Sequence, residues 1–304
     1  MESNEDSKSS KEGGKKMKDH KNDFDEFREE FRNALMRLKP DEMKITFRQV
    51  TKANRGTLHG VIPEMPGADT APTFYMEDIY KSFHNGLSVE GLAQEIITYA
   101  AANNYHVPIG FNILNYKEVK SHLALAVIGE DGNREYLMSL VHETVEDIAV
   151  IPIIFTEGQD GTGCVKVSSS LLEEWGVTAE TVLEDAKENA PRVLPPKAAW
   201  MPPQMLVVSV KQLVYGAAVA FYPGFLSWLR ERLGTDFYIL PSSVNELIVV
   251  PENSGPSTEE LAEIVRTVNR EEVPADEVLT DSVYHFGPDG FRRVDKTFEM
   301  GETA

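Results

Sequence analysis

Hydrophobic positions recur along this chain with two periods, and the switches between them outline its elements. Phe24, Phe27, Phe31, Leu35 and Leu38 are spaced by three and four residues, which places them on one face of a helix that Pro40 ends. In "MKITFRQVTKANRGTLHGVIPE" the apolar spacing becomes two at Met43, Ile45 and Phe47, breaks at Asn54-Arg55-Gly56 and resumes with Leu58 and Val61, the pattern of a hairpin. Tyr75, Ile79 and Phe83 then mark a second helix, with Asn85-Gly86 suited to its left-handed end. Ser88 caps a third, whose buried stripe is Val89, Leu92, Ile96 and Ala100. Two helices this close in sequence are expected to form an antiparallel pair over the hairpin.

Beyond them, the pattern predicts helices over 116–128 and 134–145. "IAVIPIIFTEGQDGTGCVKVSSS" reads as two β-rich runs around a Gly-Asp turn, and "LLEEWGVTAETVLEDAKENA" as a helical turn stopped by Gly176 before a helix capped by Thr178. "APRVLPPKAAWMPPQM" packs five prolines into sixteen residues, so 191–204 is expected to be an irregular connector between two lobes. From Met205 the order is strand, strand, helix, strand, strand, helix, strand, with "LVYGAAVAFY" as the second strand. Pro223 stands at a first helical position, Gly234 at its stop, and Ser257 with Glu260 makes a capping box. The expected fold is α+β, antiparallel hairpins and sheet covered by helices on one face as a two-layer sandwich. Its expected parts are a disordered tail over 1–22, an N-terminal lobe over 23–190, the connector, a C-terminal lobe over 205–286 and a flexible tail over 287–304.

Composition narrows the function classes. The chain has 304 residues, 41% of them hydrophobic, enough for a sizeable core. Thirty basic against forty-nine acidic residues leave a net charge of −19, which argues against nucleic-acid and anionic-membrane partners. A single cysteine, Cys164, can close no intrachain disulfide, in keeping with a reducing cytoplasm. "MLVVSVKQLVYGAAVAFYPGF" is too interrupted by Lys211, Gln212 and Pro223 for a membrane span, and the first residues hold no signal-peptide apolar region.

Four phrases carry a likeness: "GTLHGVIPE" with "APTFYMEDIYKSFHNGLSVE", then "VSSSLLEEWGVTAETVLEDAKENAPRVLP", "YGAAVAFYPGFLSWLRERLGTDFYILPSSVNELIVVP" and "NREEVPADEVLTDSVYHF". Over 43–286 the chain resembles an uncharacterised family of bacterial proteins containing a domain of unknown function. The resemblance implies a soluble bacterial cytoplasmic protein and supplies no activity, cofactor or catalytic residue.

Each set of reactive side chains also has a structural explanation. "HETVED", at 142–147, starts like a zinc-protease helix, but position 146 is Glu where the second histidine would be needed, so no metal is assigned there. His59, His84, His106, His122 and His285 are scattered singly. Cys164 reads as a buried small apolar residue unless a histidine stands beside it. "EGQDGTG" lacks the Gly-Lys-Ser/Thr of a P-loop and reads as a tight turn. Among Ser168, Ser169 and Ser170, Ser169 or Ser170 is expected to cap a helix, since no Gly-x-Ser-x-Gly elbow displays a nucleophile. Asn189 and Arg192 sit just before the connector, where a ligand pocket between lobes would form.

The most suggestive patch is "LPSSVNEL". Pro241, Ser242, Ser243 and Asn245 are turn formers between two short β-rich runs. A cofactor-free hydrolase would need Ser242 or Ser243 to converge with Glu246 and a base such as His285. The leading expectation is a non-catalytic binding or regulatory protein for a protein partner or small ligand, with no cofactor. The candidate polar site comprises Ser242, Ser243, Asn245, Glu246, Asn189 and Arg192.

Overall fold

The computed structural model describes residues 23–68, 71–102, 111–158, 161–201 and 205–294. The expected 1–22 tail lies outside them. The described residues divide into two compact units, one drawn from Met1–Val50 with Thr57–Val107, the other from Thr51–Gly56 with Pro108–Ala304. The fold class is α+β, with three antiparallel sheets.

In the first unit, helix α1 (residues 23–38) buries Phe27, Phe31, Ala34 and Leu35. These pack with α2 (Met76–His84) and α3 (Val89–Ala102) into one core that includes Val61 of the sheet. That sheet has the order β1 (Lys44–Lys52), β2 (Gly56–Glu64), β3 (Phe74–Tyr75). Asn54 and Gly56 both take positive φ, 60° and 66°, which lets the predicted hairpin turn close. The Ser88 hydroxyl accepts from Gly91 N–H as the cap of α3 requires.

The second unit departs from the predicted helices where apolar residues run without a period. Helix α4 is only Tyr116–Val119; a 3-10 turn follows, and Leu123–Gly129 is strand β4, buried at all seven positions. "LALAVIG" covers both faces of a buried strand, and a continuous apolar run does not distinguish that from a helix. Likewise α5 ends at Leu137 (Arg134–Leu137), and Glu143–Val145 is β5, so "HETVED" lies on a strand and its turn instead of a helix. Strand β6 (Ile148–Gly158) pairs with β4 along one side and with β5 and β7 (Gly161–Lys166) along the other.

Helix α6 (Ser169–Trp175) starts from Ser168, not from a capping Ser169 or Ser170, and the Ser168 and Ser170 hydroxyls bond each other at 2.8 Å. Gly176, in the left-handed conformation, ends α6, and Thr178 caps α7 (Ala179–Val193) as the sequence predicts. The described part of the expected proline-rich connector, residues 191–201, carries regular structure, and 202–204 lie outside the described residues. Pro191 lies within the last turn of α7, and Pro196–Met201 is β8, an edge strand paired along its whole length with β9 (Met205–Val210). The division into units therefore falls before Pro108, because one core runs continuously from Val119 to Tyr284 across the expected boundary.

The large sheet has the order β13-β12-β10-β11-β9-β8. "LVYGAAVAFY" contributes a 3-10 helix, Gly216–Phe221, instead of the expected second strand. Helix α8 (Phe225–Leu233) starts two residues after Pro223, from Gly224, and stops at left-handed Gly234. Strands β10 (Phe237–Ser243) and β11 (Glu246–Pro251) form the central hairpin. Helix α9 (Thr258–Glu271) has the full Ser257/Glu260 capping box and packs Leu261, Ala262 and Val265 on one face of this sheet. The segment expected to be a flexible tail after 287 contains β13 (Gly290–Arg293), paired with β12 (Tyr284–Gly287). Among the described residues no helix is long and apolar enough to cross a membrane.

Candidate functional site

The residues singled out in the sequence are placed first as turn and helix-end groups. A register shift between Pro241 and Ser243 makes Ser242 the bulged residue of β10. Its hydroxyl donates to Glu246 Oε1 at 3.2 Å, while Ser243 Oγ accepts from Asn245 N–H at 3.0 Å. His285 pairs with Tyr238, four residues along β10 from Ser242, so roughly 13 Å of strand at about 3.3 Å per residue separates base from nucleophile. Asn189 Nδ2 donates to the carbonyls of Lys120 and Asp185, and Arg192 Nη2 to Ser121 O at 2.6 Å. Those two side chains tie the end of α7 to the turn before β4 and line neither cavity described below.

Asn245 does more. Its Oδ1 accepts from Tyr215 N–H at 3.1 Å and its Nδ2 donates to Glu277 Oε2 at 3.2 Å. Tyr215 has φ 52° and Leu213 φ 57°, left-handed conformations that side chains of this size rarely adopt and that packing must enforce. Part of the enforcement is close backbone approach: a Cβ on Gly216 would overlap Asn245 O and Ser209 Oγ. The turn of the β10–β11 hairpin thus helps to hold the Tyr215 backbone in place.

That side chain reaches a cavity of about 500 Å³. Strand alternation puts Thr162, Cys164 and Lys166 of β7 on the same wall. Lys166 Nζ lies 3.4 Å from the Tyr215 hydroxyl, 5.4 Å from the centre of its ring and 6.0 Å from that of Tyr136. The Cys164 thiol stands near enough to the Tyr215 hydroxyl and to Lys166 for each to influence its ionisation. No carboxylate stands within 4.0 Å of Lys166 among the described residues. The cavity's two acids are already engaged, Glu277 by Asn245 and Asp276 by Lys52 at 3.3 Å. Val214, Phe155 and Ile128 supply apolar wall.

The protonation states follow from the surroundings. Burial disfavours the Lys166 ammonium, but Tyr215, Tyr136 and Cys164 outweigh it and move its pKa up. Burial raises the Cys164 thiol despite the opposing charge of Lys166. Cys164 is exposed as a residue, contrary to the expected buried one, while its sulfur is crowded by Tyr215 and Lys166; the crowding governs the thiol. Burial also raises the Tyr215 phenol. At neutral pH Lys166, Cys164 and Tyr215 are therefore an ammonium, a thiol and a phenol, with no ionised nucleophile among them.

A second cavity of about 670 Å³ lies beside Asp147, the last residue of "HETVED". Glu146, at φ 59°, closes the turn between β5 and β6 and sets Asp147 in place. Its carboxylate accepts from Thr280 Oγ1 (3.1 Å), Ser282 Oγ (2.6 Å), Tyr284 OH (2.6 Å) and Arg293 Nη1 (2.9 Å). Burial would raise its pKa; the bonds from Ser282, Tyr284 and Thr280 and the Arg293 charge outweigh that and hold it below the ordinary value. Here cation, anion and hydroxyls satisfy one another.

Sequence reasoning found Asn245 and Cys164 singly and missed Lys166 and Tyr215. The predicted strand through Cys164 already implied that Lys166 shares its face; nothing local linked either to Tyr215. No characterised protein and no solved structure matches the chain in similarity searches. One family does match, over residues 24–203 and 198–287, nearly the whole described chain. The chain belongs to DUF5688, a family of unknown function.

Proposed function

We propose that this chain is a binding protein for a small organic acid with an apolar body, held in the Lys166 cavity, and that it serves a regulatory or accessory role in a bacterial cytoplasm. The observation that carries the reading is Lys166, a partly buried ammonium on the wall of a cavity of ligand size, without a carboxylate partner among the described residues. A buried charge is normally paired, and a carboxylate from a ligand completes this one. Tyr215, Tyr136 and Val214 offer rings and aliphatic surface to the rest of such a molecule. The protonated thiol and ammonium favour binding over nucleophilic catalysis. The −19 charge and the single cysteine support the cytoplasmic setting.

Thermal unfolding with increasing hexanoate and 3-phenylpropionate tests the proposal. Wild type should be stabilised in proportion to the logarithm of ligand concentration above the dissociation constant, by about 2.7 kcal/mol at one hundred times that constant. Lys166→Met should lose the response. Equal responses from both proteins would refute the site.

A further inference from the structure

We propose that Asp236, Glu252 and His285 form a binding site for a divalent transition-metal cation of the zinc class. Register brings them together. Phe237, at the start of β10, pairs with Pro251 of β11 and with Phe286 of β12, so Asp236 and Glu252 stand opposite each other just beyond the pairs, with Glu252 N–H donating to Asp236 O at 2.9 Å. His285 pairs with Tyr238, which alternation places on the same sheet face as Asp236. One ligand atom from each of the three lies within 4.8 Å of the others, and His285 Nε2 is 3.6 Å from Glu252 Oε1.

Two independent features point to a ligand at this spot. His285 is 7% exposed, yet among the described residues neither ring nitrogen has a hydrogen-bond partner. Buried imidazole nitrogens are ordinarily paired, and a neutral imidazole has one nitrogen free to ligate a metal. The second feature is Gly287, whose backbone needs no special φ. Any Cβ there would come within 2.8 Å of both Asp236 Oδ2 and His285 Cε1, so glycine keeps open the place where carboxylate and imidazole meet. Arg230 Nε donates to Asp236 Oδ1, which orients the carboxylate and leaves Oδ2 directed to His285.

One imidazole and two carboxylates suit zinc, manganese or nickel better than magnesium or calcium, which prefer all-oxygen shells. Donors about 2.0–2.2 Å from a shared zinc lie roughly 3.4 Å apart in a tetrahedron, so the three side chains need shift only by ångström amounts. Glu252 is 49% exposed, which opens the site to solvent for entry and for a water ligand. The competing account is an imidazolium held between two carboxylates; at 3.6 Å its contact with Glu252 is too long for a hydrogen bond.

Zinc titration of the EDTA-stripped full chain, by calorimetry with a competing chelator, decides between them. One equivalent should bind, with Glu252→Gln at least tenfold weaker and His285→Gln weaker still. Glu252 is at the surface, so its variant keeps the fold and the result stays readable even if His285→Gln unfolds. The proposal falls if no stoichiometric zinc binds, as a purely ionic triad requires. It falls equally if Glu252→Gln binds within twofold of wild type, which would place the metal on other histidines.

Discussion

Two cavities of the second unit each present a cation, Arg293 and Lys166, and they differ in what answers it. Arg293 meets Asp147, whose remaining lone pairs are taken by Thr280, Ser282 and Tyr284. Lys166 meets the rings of Tyr136 and Tyr215, the Tyr215 hydroxyl and the Cys164 thiol, and among the described residues no carboxylate within 4.0 Å. A closed network stabilises the fold and asks nothing of a ligand. An open one leaves a charge to be completed from outside. The proposed ligand site is thus the smaller of these two cavities.

Substitutions can break or sharpen this contrast. Asp147→Asn should be the most damaging, at about 3 kcal/mol in urea unfolding, because it removes the charge on which the half-buried Arg293 and three hydroxyls converge. The same carboxylate predicts an acid limb. Its folded pKa is below the ordinary 3.8, so its contribution is complete above that value and is lost as pH falls through the folded one. Wild type should lose stability over that window more steeply than Asp147→Asn; parallel acid curves would show that Asp147 is not the source.

Asn245→Ala should cost about 2 kcal/mol, since it removes the acceptor for Tyr215 N–H and the donor to Glu277. It should also weaken hexanoate binding, because Tyr215 then loses the contact that holds its left-handed backbone. Unchanged binding in a folded Asn245→Ala would detach the hairpin turn from the site. Lys166→Met should change stability by less than about 1 kcal/mol, as an unpaired cation contributes little to the fold. Ser242→Ala should have the smallest effect, about 0.5 kcal/mol, from one bond to Glu246 on a bulge. A loss of ligand binding there would return the serines to the centre of the account.

Local signals were the legible part of the fold. The Ser257/Glu260 box, Thr178, Gly176 and Gly234 each act within one turn of their own position, and all sit where their chemistry predicts. Strand β4 was hidden because burial on both faces erases alternation. Pro196 looked like a breaker because a proline's missing donor is harmless at the start of an edge strand, and edges are not visible in a linear chain. The site was legible in halves. Asn245 stood out as a turn former, and its second role depends on a loop thirty residues earlier in the chain. Asp236, Glu252 and His285 come from three strands whose register only the folded sheet defines.

Calorimetric titration of 3-phenylpropionate into wild type, Asp147→Asn and Lys166→Met tests the distinction between the two cavities most directly. Wild type and folded Asp147→Asn should bind one equivalent with the same affinity, and Lys166→Met should show at least a tenfold loss. Binding that survives in Lys166→Met and disappears in Asp147→Asn would contradict the account and move the ligand to the Arg293 cavity.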